Sequence, residues 1–291
     1  MIARVLKASR PVSWINTAFP FAAAYLLVTR EVDARLVVGT LFFLIPYNLL
    51  MYGINDVFDY ESDLANPRKG GIEGDVVRSR SEARRVHRAI IWSSVVSVVP
   101  FMAWLLSQGS VAARVTLVLV VAGVLAYSVP ALRFKERPFI DSATSAVHFV
   151  GPLLYALVLT GTPLMGRGVW PIWVAFIAWG MASHAFGAVQ DVTADRAGGI
   201  SSVATVIGAR ATVWCALVLY VAASAVLLLL PSPGILAAVL PLAYVASVAR
   251  FARITDETCE QANKGWRTFL WLNQPVGFVV TVLIIIAWRS P

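Results

Sequence analysis

The chain has 291 residues and a formal charge of +8, and it is 58% hydrophobic but only 14% charged, with a mean hydropathy of +0.74. Soluble domains carry about 25% charged residues, so this composition excludes a soluble globular protein and points to the bilayer. A nucleic-acid partner, one ordinary reading of a pI of 9.9, is excluded once the basic residues are seen to sort by membrane side.

A helix crosses a bilayer with roughly 20 predominantly apolar residues. Nine stretches qualify: 12–29, 35–54, 89–107, 111–130, 139–160, 169–190, 211–230, 234–251 and 268–288. They predict an all-α polytopic membrane protein, one integral-membrane domain over 1–291 with nine transmembrane helices. The basic start before the first stretch resembles a signal peptide, but eight further spans make that stretch an uncleaved helix. With nine spans, one side collects the N-terminal tail and the loops after the second, fourth, sixth and eighth. That side holds nineteen of the 24 Lys and Arg residues, and the other holds five. The positive-inside rule then predicts a plasma-membrane protein with a cytoplasmic N-terminus and an external C-terminus. Cys215 falls in a span and Cys259 in a cytoplasmic loop, so no disulfide is expected.

The first chemical signal follows the second span, where "NDVFDYESD" packs four carboxylates into residues 55–63. On an ideal helix Asn55, Asp59, Asp63 and Asp56 share a face about 100° wide, and Glu61 points elsewhere. Carboxylates at a helix C-terminus repel one another and oppose the macrodipole, so the arrangement asks for a cation. Open oxygen ligands suit Mg²⁺, which takes one or two carboxylates plus substrate phosphates. A solvated acidic loop is the plain alternative for this segment alone. Arg68 and Lys69 follow the motif, as phosphate ligands or as membrane-surface anchors. The run Arg78, Arg80, Arg84, Arg85 and Arg88 reads as a membrane-surface face.

After the fourth span, "YSVPALRFK" supplies Arg133 and Lys135, as phosphate contacts beside an acidic cluster or as positive-inside anchors at the membrane surface. Polar residues inside spans are costly and so are candidates for function. Asn48 lies two turns before Asn55, and His184 precedes Asp191 by seven residues. Both are expected to look inward from about 10 Å deeper than the acidic motifs, at 1.5 Å of rise per residue. Asp141, His148 and Asn16 are weaker candidates, for which an interhelical hydrogen bond is the commoner fate. Trp14, Phe58 and Tyr60 are aromatic candidates for a cationic pathway.

The sixth span ends in "QDVTADRAGG", where Asp191 and Asp195 repeat the earlier pattern of amide, Asp, Val. Arg196 follows and is a further candidate phosphate contact. The recurrence four spans later predicts a duplicated four-helix unit, plus one helix, with the two acidic ends facing one another. Paired carboxylate clusters gripping metal-bound phosphate are a known arrangement for diphosphate departure.

In these two motifs the chain resembles the UbiA superfamily of membrane prenyltransferases. "NDVFDYESD" matches that family's first Asp-rich motif, NDxxDxxxD, and "DVTAD" its second, DxxxD. The resemblance extends over essentially the whole chain. It implies a helical bundle around a central cavity, with Asp56, Asp59, Asp63, Asp191 and Asp195 holding two Mg²⁺ ions that bridge to an allylic prenyl diphosphate. It implies a lateral opening for a hydrophobic acceptor from the bilayer lipids, and it gives Tyr127 the role of shielding the allylic cation. The chemistry expected is electrophilic alkylation: the C–O bond breaks, acceptor π-electrons attack the cation, and a proton or water ends the reaction.

The run "NDVFDYESDLANPRKGGIEG" is similar to the lycopene-elongating branch of the family, which implies dimethylallyl diphosphate as donor and lycopene as acceptor. The alternative is a quinone-precursor aromatic. A secondary transporter is the rival from another class, but its ion sites tend to lie near the midplane, whereas both motifs here sit at helix ends.

Overall fold

The computed structural model describes residues 1–65, 77 and 79–289. Every described element is helical, and the chain divides into two compact units, Met1–Arg133 with Gly151–Thr162, and Phe134–Val150 with Pro163–Pro291.

The first unit opens with α1 (Ile2–Ala8), which ends before a left-handed Arg10 (φ 52°) and a 3-10 turn at Pro11–Ser13. Helix α2 (Trp14–Thr29) follows, and left-handed Arg30 stops it. Asp33 caps α3 (Ala34–Leu44), accepting the Leu36 N–H at 2.9 Å and the Tyr25 hydroxyl at 2.7 Å. Pro46 then interrupts the α3 ladder, because a proline restricts the residue before it and offers no N–H. The chain passes through a short α4 (Pro46–Asn48) into a π-helical turn over Leu49–Gly53 and then α5 (Ile54–Phe58). Within that turn Gly53 stands so close to Ile90 that an added Cβ would lie 2.7 Å from its side chain. After α6 (Tyr60–Ala65) come α7 (Arg80–Gln108) and α8 (Val111–Ser128). The core of this unit is aromatic: Phe43 contacts Phe42, Tyr47 and Phe21 with ring centroids 4.9, 5.1 and 5.2 Å away.

Helix α9 (Ile140–Leu159) gives its first half to the second unit and its second half to the first. The second unit continues with α10 (Trp170–Val189), α11 (Val192–Ala197), α12 (Val203–Ile207) and α13 (Ala209–Leu227). Then come α14 (Leu240–Ala249) and α15 (Ala262–Arg289). Gly180 of α10 packs against Ala146 of α9, and a Cβ there would come within 2.9 Å of Ala146. Small residues at such crossings let membrane helices approach closely. Tyr220 and Tyr244 stack at 5.4 Å, and the Tyr244 hydroxyl donates to Asn273 Oδ1 at 2.8 Å.

Eight described helices are long and apolar enough to cross a membrane. The expected span over 234–251 is a shorter apolar segment, Gly234–Ala249, formed of a 3-10 turn and α14. Pro241 at the start of α14 explains the division, since it offers no N–H to a preceding turn. Outward faces are strongly apolar: Trp92, Val96, Leu119, Trp271 and Phe278 are each more than 60% exposed. In water so much exposed apolar surface is a liability; in lipid it is the expected exterior.

Candidate active site

The first acidic motif begins on α5, directly after the π-turn. The continuous helical face expected from the sequence needs correction. The helix stops at Asp59 (φ −94°, ψ 1°), whose N–H still reaches the Asn55 carbonyl at 2.9 Å, and a new helix begins at Tyr60. Asp59 thus immediately precedes a helix, the position where a carboxylate is favoured by the N-terminal dipole. A single wheel cannot place residues on both sides of this break. The side chain of Asp63, and the whole of Arg68 and Lys69, lie outside the described residues. Glu61 is exposed and reaches Arg80 at 3.4 Å, apart from the buried Asp59.

Asp56 has a partner that the sequence did not reveal. Arg10 binds it in a two-pronged pair, Nη2 to Oδ1 at 2.7 Å and Nη1 to Oδ2 at 3.1 Å. Both side chains are about nine-tenths buried, at 10% and 14% exposure. The guanidinium also lies over the Tyr52 ring, 5.7 Å from its centroid. Arg10 sits 46 positions from Asp56 in a tail where every basic residue serves the positive-inside count, so only its place before Pro11 could have drawn attention.

The loop after α8 does come to this motif. Ser128 donates its hydroxyl to Asn55 Oδ1 at 3.0 Å, and Tyr127, half-buried, is its neighbour. Arg133, held in a left-handed conformation (φ 41°), places Nη2 3.8 Å from Asp59 Oδ1. One cation and one hydroxyl from the "YSVPALRFK" loop therefore touch the two ends of the Asn55–Asp59 segment. Lys135 lies just beyond, in a 3-10 turn over Phe134–Glu136.

In the second unit Asp191 and Asp195 are half-buried, Asp191 at the N-cap of α11 and Asp195 in its first turn. Gln190 is anchored at both ends of its amide, donating to the Gly187 carbonyl at 3.0 Å and accepting from Asn263 at 2.6 Å. Arg196 is committed elsewhere. Its Nε and Nη2 donate to the Thr205 carbonyl and its Nη1 pairs with Asp256, which also accepts the Ala209 N–H. The guanidinium that the sequence offers to phosphate thus ties α11 to the starts of α12 and α13.

Asn48 is likewise used for structure. It is fully buried, and its amide donates to Thr17 Oγ1, the Phe43 carbonyl and the Leu44 carbonyl at 2.6, 2.8 and 3.0 Å. The two carbonyls lie at the end of α3 beside the break at Pro46, and the Phe43 carbonyl also accepts the Thr17 hydroxyl at 2.7 Å, so Asn48 joins a network that ties α2 to the end of α3. The seven-residue spacing that set it below Asn55 is invalid across a π-turn. His184 in α10 lies with its Nδ1 3.1 Å from Ser142 Oγ. Trp14 donates to the Ser9 carbonyl and Tyr60 to the Val77 carbonyl.

The donors around both motifs are carboxylate and amide oxygens, which suit a hard divalent cation. Among the described residues no three His, Cys, Asp or Glu side chains gather around one point. Ligation by one or two carboxylates completed by phosphate oxygens, the usual habit of Mg²⁺, fits such a set.

The UbiA prenyltransferase family model matches residues 17–287. The chain is a member of that family, a multi-pass membrane prenyltransferase. A lycopene elongase/hydratase from Corynebacterium glutamicum is 50% identical over 97% of this chain and 96% of its own length. The C(50) beta-cyclic carotenoids biosynthesis protein LbtBC from a Dietzia species is 53% identical, covering 95% of this chain and 63% of that protein. The fold is shared with a UbiA homologue from Archaeoglobus fulgidus solved with DMAPP and Mg²⁺. The TM-score is 0.62 at 18% identity, over 95% of this chain and 98% of the other.

Proposed function

We propose that this protein transfers the five-carbon prenyl group of dimethylallyl diphosphate to the ends of lycopene. The reading is carried by the 50% identity to a lycopene elongase/hydratase along 97% of the chain. Asp56, Asp59, Asp63, Asp191 and Asp195 would hold two Mg²⁺ ions. When bound, these ions neutralise the diphosphate and lower the barrier to its departure.

The chain's own residues do the rest. Arg133, 3.8 Å from Asp59, would hold phosphate oxygens, and Lys135, Arg68 and Lys69 are further candidates. Arg10 keeps the Asp56 carboxylate in one orientation through its fork. The Ser128 hydroxyl fixes Asn55, and Tyr127 screens the allylic cation with its ring. Apolar spans exclude water until the acceptor's π-electrons have attacked. A polyene makes no polar demand on its site, which suits interiors dominated by aromatic and aliphatic side chains such as Phe21, Phe43 and Tyr155.

The test is expression in a lycopene-accumulating bacterium, with pigments identified by mass. Species with one and then two added five-carbon units are expected. Prenylation of 4-hydroxybenzoate or a naphthoate with lycopene untouched would leave the family assignment standing and end the carotenoid reading.

A further inference from the structure

The second unit buries a polar group that diphosphate departure does not use. Asp141, in the first turn of α9, is completely buried, and its two oxygens accept the N–H groups of Ser142 at 2.6 Å and Val203 at 2.8 Å. Ser142, 3% exposed, sets its hydroxyl 3.1 Å from Nδ1 of His184. His184 keeps part of its surface uncovered, whereas Ser183 and Ala185 on either side of it are buried. An ionisable side chain at this depth is expensive, which makes it a candidate for function.

Its position along α10 gives it a task. His184 stands five residues before the end of α10, about 7–8 Å further into the membrane than that helix end, and the chain passes from there through Gln190 to Asp191 at the cap of α11. A diphosphate held at the Asp191 level, with its short allylic tail directed inward, puts the bond-forming carbons near the imidazole.

Resting on lycopene as the acceptor, we infer that His184 is the proton acceptor that ends the reaction by activating water. The π pair of the acceptor's terminal double bond forms the new C–C bond as the C–O pair leaves with diphosphate. The positive charge passes to a tertiary carbon of the acceptor. A water lone pair forms the C–O bond there, and one water proton moves to Nε2 of His184 while Nδ1–H donates to Ser142 Oγ. The products are a tertiary alcohol and an imidazolium, which later releases its proton to solvent. Asp141 acts as a positioning residue, fixing the Ser142 backbone beside the ring.

The experiment uses the full-length protein in a lycopene-accumulating bacterium and reads the hydroxylated share of the elongated pigment by mass. The wild type is expected to yield the alcohol. His184→Gln and His184→Ala should still elongate lycopene, while the hydroxylated share falls by about tenfold or more, replaced by the alkene. Ser142→Ala should shift the share in the same direction by a smaller factor, and it serves where a His184 variant fails to accumulate. An unchanged share at equal protein level overturns the inference, as does a wild type yielding only the alkene. Complete loss of elongation in a folded His184 variant overturns it too, since the group would then act before the proton is released. A wild type that leaves lycopene untouched instead counts against the acceptor assignment.

Discussion

Replacing Asn48 separates a structural lock from a substrate ligand. In Asn48→Ala three hydrogen bonds are lost at once, to Thr17 and to the Phe43 and Leu44 carbonyls. Side-chain hydrogen bonds between membrane helices are worth about 0.6 kcal/mol each on average and about 1.7 at most, so the sum is roughly 2–3 kcal/mol. The position is fully buried, and although the Phe43 carbonyl keeps the Thr17 hydroxyl, the Leu44 carbonyl loses this donor, which pushes the cost toward the upper end. A partner test removes the acceptor: Thr17→Val deletes one of the three bonds together with the Thr17 hydroxyl's own bond to the Phe43 carbonyl at 2.7 Å, so the double variant should cost less than the two single variants added together while still exceeding Asn48→Ala alone. The assay is thermal unfolding of detergent-purified protein, alongside Michaelis constants for donor and acceptor. A clearly lowered midpoint with both constants near the wild-type values is expected. An unchanged midpoint with a raised constant for either substrate would refute the reasoning and return Asn48 to the binding site.

Asp59→Ala should abolish turnover, whereas Glu61→Ala should be nearly silent, because Glu61 is exposed and pairs only distantly with Arg80; steady-state rates for the two compare them directly. Arg10→Ala should destabilise the protein by about 3 kcal/mol, the range for stripping one partner from a buried ion pair, with Arg10→Lys recovering part of it; unfolding midpoints of the two variants test this. Reporter tags at the N-terminus and near Gly70 should read cytoplasmic and a tag at Pro291 external. A cytoplasmic C-terminus would mean that the segment over 234–249 does not cross.

The spans and acidic motifs were legible because both depend on local contrast. Twenty apolar residues in a row, or carboxylates crowded at the end of such a run, stand out without knowledge of any partner. Side-chain fates set by distant residues were not legible. Arg10 and Asp56 are 46 positions apart, and Arg196 and Asp256 are 60 apart, so nothing near Arg196 signals that its charge is already used. Angles read from an ideal wheel failed for a different reason. The wheel assumes one uninterrupted helix, and the stretch between Asn48 and Asp63 contains a π-turn and a break.

A π-turn differs from an α-turn by accommodating one extra residue, and here it comes between the intramembrane run and Asn55. Deleting a residue such as Met51 would let the five-residue turn relax toward α geometry. Everything downstream would then swing by about 100° and retreat by about 1.5 Å, while the lipid-embedded portion before it stayed in place. The compass heading of Asp56 is therefore stored upstream, in a stretch that carries no charge at all. Indels around Leu49–Gly53 offer a way to re-aim the acidic cluster without altering a single ligand.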